Sequence, residues 1–384
     1  MRFNITYMVP LSLLLVALLF SVSLAQDTDA AQNQTLKVGV FSKYGVCQYC
    51  VIDIFESLRI DRDVEPVTIT AADIMDGVLD GIDVVIFPGG SGRIETANLG
   101  ELGQQKIIDF VKIVGKGVVG FCAGAYALTE TPNYPSLSLS GGEAIDMEHD
   151  SRGHGLAKFL LTAAGEEIFP ELAGREISYA QYYEGPVLIP AENSAYQYKE
   201  LATMLSDVHV VESAPADMTN NRPFIIVTEV DKGRTVSVVG HPESTPGMRW
   251  MVPRLARLAA RRELISYGEN VVRPSLFDRE ILFTTEQTKL ERAAKKNLLK
   301  SSEEKIQAME DLVDMAAWLA KRWIPPMVRD KDFAVRLRAA ELIVELERTE
   351  AIRDLAVAIE NESSEKNKRL LQEQLELLES ILGK

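Results

Sequence analysis

The chain has 384 residues with 56 acidic against 41 basic side chains, and the resulting net charge of −15 offers no general attraction to a phosphate backbone, so nucleic acid is set aside as a partner. With 46% hydrophobic and 25% charged residues it has the composition of a globular protein long enough for two domains, and a disordered or fibrous chain is excluded. After the first 25 residues no stretch is long and apolar enough to cross a bilayer.

Residues 1–25 begin with a single basic residue, Arg2, run through VPLSLLLVALLFSV and close on Ser23-Leu24-Ala25. A basic start, an apolar middle and a small-x-small end predict a secretory signal cleaved after Ala25. Left uncleaved, residues 7–25 are nearly long enough to serve as a membrane anchor. The expected location is therefore secreted or periplasmic, or membrane-anchored if the leader stays. Residues 26–35 read as a polar linker, with a sequon at Asn33-Gln34-Thr35 that matters only in a glycosylating host. Three cysteines, Cys47, Cys50 and Cys122, would meet that oxidising compartment, and an odd count leaves at least one thiol unpaired or bonded to another molecule.

From Leu36 short β-branched runs alternate with helical periodicity, which predicts an α/β domain: a mostly parallel sheet covered by helices. Strands are expected in LKVGVF, VEPVTIT, IDVVIFPGG and GVVGFCAG. Between them, VIDIFESL, AADIMDGVL and QQKIIDFVKIVGKG carry apolar residues at helical spacing, the last closed by Gly115. Further on, REISYAQYYEGPVLI reads as strand, RPFIIVTEVDKGRTVSVVG as a hairpin turning at Asp231-Lys232-Gly233, and PGMRWMVPRLARLAARRELI as a closing helix. The domain is bounded at residues 36–265, followed by a connection over 266–283.

From Thr284 onwards glycine almost disappears and the strand pattern ends. Segments 304–313 and 334–344 superpose at a constant offset, and 366–378 repeats them more weakly. A period of about 30 to 40 residues built from amphipathic helices predicts a small helical solenoid over 284–384. A plain bundle capping the first domain is the alternative. Either arrangement is expected to supply an interaction surface for a protein partner, not catalytic groups.

Three expected strand ends carry chemistry. In a parallel α/β sheet the carboxyl ends of the strands face the ligand crevice. VVGF followed by Cys122 and then AGAYAL puts a thiol on a sharp strand-to-helix turn, with the N–H of Ala123 aimed at the same space. Taken alone the residue packs as readily as it reacts, since buried cysteines are common. VVIFPGGSGR ends a second strand in Gly89-Gly90, where a tight turn frees N–H groups for an oxyanion, or simply punctuates a loop. VSVVGHPES delivers His241, with Glu243 two residues on, as a general base and the carboxylate that fixes its tautomer, against the commoner fate of a solvated loop histidine. His149, His154 and His209 lack such a setting.

GFCAGAY, FPGG and GHPE together resemble the class I glutamine amidotransferase-like superfamily. More narrowly, VVIFPGGSG, VGFCAGAY, SRG, YYEGP and GHPES resemble the amidotransferase-like domain at the N-terminus of eukaryotic biotin-protein ligases, which also occurs in stand-alone bacterial proteins. The resemblance spans about residues 36–243 and implies a flavodoxin-like fold. It implies Cys122 as nucleophile, His241 as base, Glu243 as orienting acid, and Gly89, Gly90 and Ala123 as oxyanion donors. The SRG and YYEGP matches imply that Arg152, Tyr183 and Glu184 line the substrate pocket, with Tyr182 beside them; ordinary loop and strand-edge packing is the alternative. The final helical region resembles HEAT repeats in WIPPMVRDKDFAVRLRAAELIVEL. The chain has no Gly-Arg-Gly-Arg biotin-ligase motif and no synthetase domain, so the implied chemistry is thiolate attack on an amide or related acyl carbon, without cofactor or metal.

Cys47 and Cys50 follow the first strand and are expected at the rim of the same crevice as a disulfide. A redox pair exchanging with Cys122 is a sharper alternative, and one Cys-x-x-Cys is half a zinc site. The expected function is a cysteine hydrolase acting on a small-molecule or peptide amide. Its alternative is a non-catalytic binding module that uses the crevice for a ligand and the helices for a partner.

Overall fold

The computed structural model describes residues 35–211 and 214–383. The expected leader, its cleavage after Ala25 and the linker through Gln34 lie outside the described residues. Twelve strands follow in chain order: β1 (Leu36–Phe41), β2 (Val64–Ile69), β3 (Val84–Phe87), β4 (Gly117–Phe121), β5 (Gly142–Ala144), β6 (His154–Leu161), β7 (Ser178–Tyr183), β8 (Leu188–Pro190), β9 (Tyr198–Met204), β10 (Arg222–Val230), β11 (Gly233–Val238) and β12 (Ile281–Leu282). Ten of them form one mixed sheet in the order β12-β6-β9-β10-β11-β4-β3-β1-β2, with β7 pairing β6. β5 and β8 make a separate antiparallel pair.

The half that carries the strand-end motifs is parallel throughout, from β2 through β1, β3 and β4 to β11. The sequence explains it: VVIF and GVVGF are buried at every residue. Their side chains divide by alternation, Val84, Ile86, Val119 and Phe121 entering one core and Val85, Phe87 and Val118 the other. Burial on both faces is what parallel strands require. The hairpin expected at Asp231-Lys232-Gly233 joins β10 to β11 antiparallel, with Asp231 at φ 48°.

β6 and β9 were not anticipated, and they extend the sheet antiparallel. HGLAKFLL and YKELATM carry Lys and Glu at partly exposed positions, so their hydrophobic runs are broken. β12 lies inside the expected connection and pairs with β6, which stitches that segment to the sheet.

Beyond it, the three repeated segments fall on the helices Ser302–Asp314, Phe333–Glu345 and Glu365–Glu379. Their starts are marked by the sequence: Ser301 forms a capping box with Glu304, and Asp332 and Ser364 cap the other two. The middle helix packs against the other two. Their apolar faces join the core of the α/β domain in one continuous cluster.

The junction is also ionic. Asp53, fully buried on the helix Gln48–Leu58, binds Lys321 at 2.7 Å and Arg348 at 2.6 Å and accepts from Ser244 Oγ at 2.6 Å. Nearby, Thr349 Oγ1 donates to Glu56 at 2.7 Å, and Arg273 pairs with Glu347 at 2.8 Å. Burying charges without partners is costly, and these pairings fix one docking arrangement of the helices on the sheet.

Candidate active site

β4 ends at Phe121, and Cys122 takes φ 50°, ψ −105° before the helix Ala123–Leu128 begins. A side chain held at positive φ costs of order 1–3 kcal/mol and needs surrounding contacts to persist. Those contacts are backbone hydrogen bonds to two neighbouring strand ends: Cys122 N–H donates to Val238 O at 2.8 Å and Gly124 N–H to Pro88 O at 3.0 Å. The elbow needs small residues because a Cβ on Gly124 would stand 2.1 Å from Phe87 O. The strand, turn and helix expected from VVGFCAGAYAL are thus in place.

His241 leaves the end of β11 and is tied to β7, its N–H donating to Gln181 O at 2.7 Å. A short 3₁₀ turn over Pro242–Ser244 folds Glu243 back, so that Glu243 Oε1 lies 2.6 Å from His241 Nδ1. Both side chains are buried. His241 Nε2 carries no hydrogen bond among the described residues, and the ring also faces the Cys122 sulfur. Burial alone would push the His241 pKa down; the Glu243 carboxylate, and then the Cys122 sulfur, outweigh it and hold it up at about 10. The Cys122 sulfur lies 3.2 Å from Tyr183 O, to which the thiol donates.

The three expected strand ends therefore meet at one place. Gly89 is the gap between them: a Cβ there would fall 2.8 Å from His241 Cε1, 3.2 Å from Cys50 Sγ and 3.6 Å from Cys122 Cβ. It sits behind the pair, whereas Gly90 and Ala123 line the cavity in front. Gly90, at φ 154°, is held by hydrogen bonds on either side, Cys47 N–H to Gly89 O at 2.8 Å and Ser91 N–H to Gly45 O at 2.6 Å. Among the described residues neither the Gly90 nor the Ala123 N–H donates to a backbone acceptor. Two free donors beside a thiol are what a developing oxyanion would need.

The cavity measures about 540 Å³. Tyr183 and Glu184 are among the residues that line it. Arg152 is not. Its side chain is wholly buried, paired with Asp146 at 2.6 Å, donating to His149 O at 2.8 Å and bonded to Tyr182 OH and Gly185 O. With those partners the guanidinium braces the loop under Glu184 and has no face left for a substrate, which corrects its expected role. Tyr182 is buried in the same network.

Cys47 and Cys50 also depart from expectation. All three cysteines are free thiols, so the expected disulfide is not formed. Cys47 stands at the N-cap position of the helix Gln48–Leu58 without a side-chain capping bond, and both it and the buried Cys50, in the first turn, line the cavity, the Cys50 thiol bonded to Cys47. Cys50 Sγ, a His241 ring nitrogen and a Glu243 oxygen all lie within 4.8 Å of one another. A soft divalent ion would find sulfur, nitrogen and oxygen donors there, but Glu243 is already committed to His241 Nδ1 and ligation would break that bond.

Sequence reasoning missed two contributors. His154, set aside above, stacks between Tyr183 at 4.5 Å and Phe283 at 4.8 Å in the cavity wall, and burial lowers its pKa to about 4. Trp318 comes from the helical region: its ring meets His241 edge-on at 4.7 Å and Tyr183 at 5.5 Å, with Lys321 Nζ 3.6 Å from its centroid. The helical region thus supplies one wall of the cavity. No local pattern marks Trp318, because its place depends on docking between distant parts of the chain.

No protein-family model matches the sequence, and no curated protein matches it. Among solved structures, similar chains include a ThuA-like protein from Parabacteroides merdae (11% identity, TM-score 0.44, covering 61% of this chain and 93% of that one). The glutaminase domain of Trypanosoma brucei CTPS gives 11% identity and a TM-score of 0.41 over 61% of this chain and 97% of that one. A cytoplasmic protein of Salmonella typhimurium gives 14% identity and a TM-score of 0.37 over 57% and 97%.

Proposed function

We propose that this protein is a cysteine amide hydrolase of the class I glutamine amidotransferase-like superfamily, akin to the domain at the N-terminus of biotin-protein ligases, with Cys122 as nucleophile. The observation that carries the proposal is the strained turn that presents Cys122 beside a buried His241 whose Nδ1 is held by Glu243 at 2.6 Å. His241, kept basic by Glu243, holds the proton given up by Cys122, and the sulfur attacks the acyl carbon. The N–H groups of Gly90 and Ala123 receive the charge on the oxygen. Protonated His241 then gives the proton to the departing amine, leaving a thioester on Cys122. Water, deprotonated by the same ring, hydrolyses the thioester and restores the thiol. The leader over residues 1–25 would place this activity outside the cytoplasm.

The test is release of ammonia or amine from a panel of primary and peptide amides, with trapping of a Cys122 thioester by mass mapping. Turnover that survives Cys122→Ser, together with iodoacetamide labelling of Cys122 no faster than of a buried inert thiol, would sink the assignment.

A second reading keeps the cavity as a ligand site without turnover, with the helices docking a protein partner. It draws on Cys122 donating to Tyr183 O at 3.2 Å while His241 Nε2 makes no hydrogen bond. Ligand-dependent protection of Cys122 from alkylation, without any product across the panel, would favour it.

A further inference from the structure

The geometry points to a second reactive centre on the same cavity: Cys47 and Cys50 form a dithiol that reduces a low-molecular-weight disulfide, becoming a disulfide themselves. This centre does not use Cys122, though it shares Glu243 with the hydrolase proposal.

Four observations carry it. The two cysteines stand three residues apart at the start of an eleven-residue helix, on one face, and both are free thiols in contact with each other. They are unlike in their exposure: both line the cavity, but Cys47 is half-buried whereas Cys50 is only 2% exposed. Exchange needs that division, with one sulfur that a ligand reaches and one that resolves. A proton acceptor waits beside the resolving thiol, because Cys50 Sγ lies within 4.8 Å of a Glu243 oxygen and Glu243 Oε2 has no hydrogen-bond partner among the described residues, although fully buried. Finally, the hydrogen bond from Cys50 outweighs burial and, with Lys321 nearby, lowers the Cys47 pKa to about 6, while its own role as donor, and burial, push Cys50 well up.

The steps balance. Cys47 thiolate attacks one sulfur of the disulfide RSSR, forming Cys47–S–S–R and expelling RS⁻. Cys50 then gives its proton to Glu243 and attacks Cys47 Sγ, expelling the second RS⁻ and closing the disulfide between Cys47 and Cys50. One disulfide is reduced to two thiols, and the protein dithiol is oxidised by the same two electrons. A cavity of about 540 Å³ suits a small disulfide. Asp150, Glu184 and Glu291 outnumber Arg93 and the cationic His241 on its walls, so a disulfide bearing amines is favoured over an anionic one.

The test uses the full chain carrying Cys122→Ser, reduced and freed of reductant, then mixed with cystamine or with glutathione disulfide. Two thiols released per chain, a disulfide mapped between Cys47 and Cys50, and faster reaction with cystamine are expected. Cys47→Ser loses the reaction, and both Cys50→Ser and Cys50→Ala stop at a mixed disulfide on Cys47. Failure of the bond between Cys47 and Cys50 to form with either probe, reduction that persists in Cys47→Ser, or absence of the Cys47 mixed disulfide in both Cys50 variants would overturn the proposal.

Discussion

Replacing Asp53 with Asn keeps the shape of the side chain and removes the charge that faces two buried cations. In the native protein Lys321 Nζ and Arg348 lie 2.7 and 2.6 Å from its carboxylate. Arg348 keeps Glu350 at 2.5 Å, and Lys321 keeps Ser244 Oγ at 2.9 Å, so neither cation is stripped bare. Breaking a buried pair from one side costs about 3–5 kcal/mol, and those residual partners put Asp53→Asn at the lower end, about 3 kcal/mol. That is roughly a 150-fold fall in the folded-to-unfolded ratio. Urea denaturation followed by tryptophan emission reads it directly, because Trp318 stacks against Lys321. Lys321→Met added to Asp53→Asn should recover part of the loss, since the unpaired ammonium goes with it. The pH dependence has a definite sign. Burial would raise the Asp53 pKa, but Arg348, Lys321 and Arg249 hold it well below the usual carboxylate range. The stabilisation is therefore complete above the unfolded value of about 3.9 and fades as pH falls towards the folded one. The gap between wild type and Asp53→Asn should narrow in acid below about pH 4. A loss under about 1 kcal/mol at neutral pH, or no recovery in the double variant, would refute the argument.

Gly89→Ala should cost about 1–3 kcal/mol in urea unfolding, because its Cβ would lie 2.8 Å from His241 Cε1 and the ring must move. The same shift should lower any amide turnover by about 100-fold, read as kcat/KM. Alkylation of Cys47 by iodoacetamide, followed by mass mapping, should rise with pH around a midpoint near 6; a midpoint above 8 would mean that the Cys50 hydrogen bond does not hold it down. Burial lowers the His154 pKa from 6.5 to about 4, so the unfolded chain binds the proton first and stability should fall as pH drops from about 6.5 to about 4. His154→Phe, which preserves the stack on Tyr183 and Phe283, should flatten that part of the pH–stability curve.

What the sequence disclosed depended on how local the cause was. Cys122, Gly90 and His241 were legible because each ends a strand whose apolar run names it, and parallel strands bring their ends to one edge. Arg152 was misassigned because a short motif match does not tell a brace from a binding group; Asp146 and Tyr182 decide it. The antiparallel half of the sheet escaped notice because Lys158 in β6 and Lys199 and Glu200 in β9 interrupt the apolar runs, and the two strands find their pairing only through distant partners. Cys47 and Cys50 were read as a bond from the oxidising compartment expected for them, whereas in the fold Cys50 belongs equally to the surroundings of His241. Trp318 had no sequence signal at all.

The lateness of Trp318 in the chain has a temporal consequence. During synthesis, every group of the Cys122, His241 and Glu243 constellation emerges before the indole that walls it. Until the helical region docks, the cavity lacks one wall, and Cys122 stands at an open edge instead of inside a pocket. Whatever choice among ligands the indole wall imposes is therefore acquired last, and a clipped copy would keep the thiol while losing that selection.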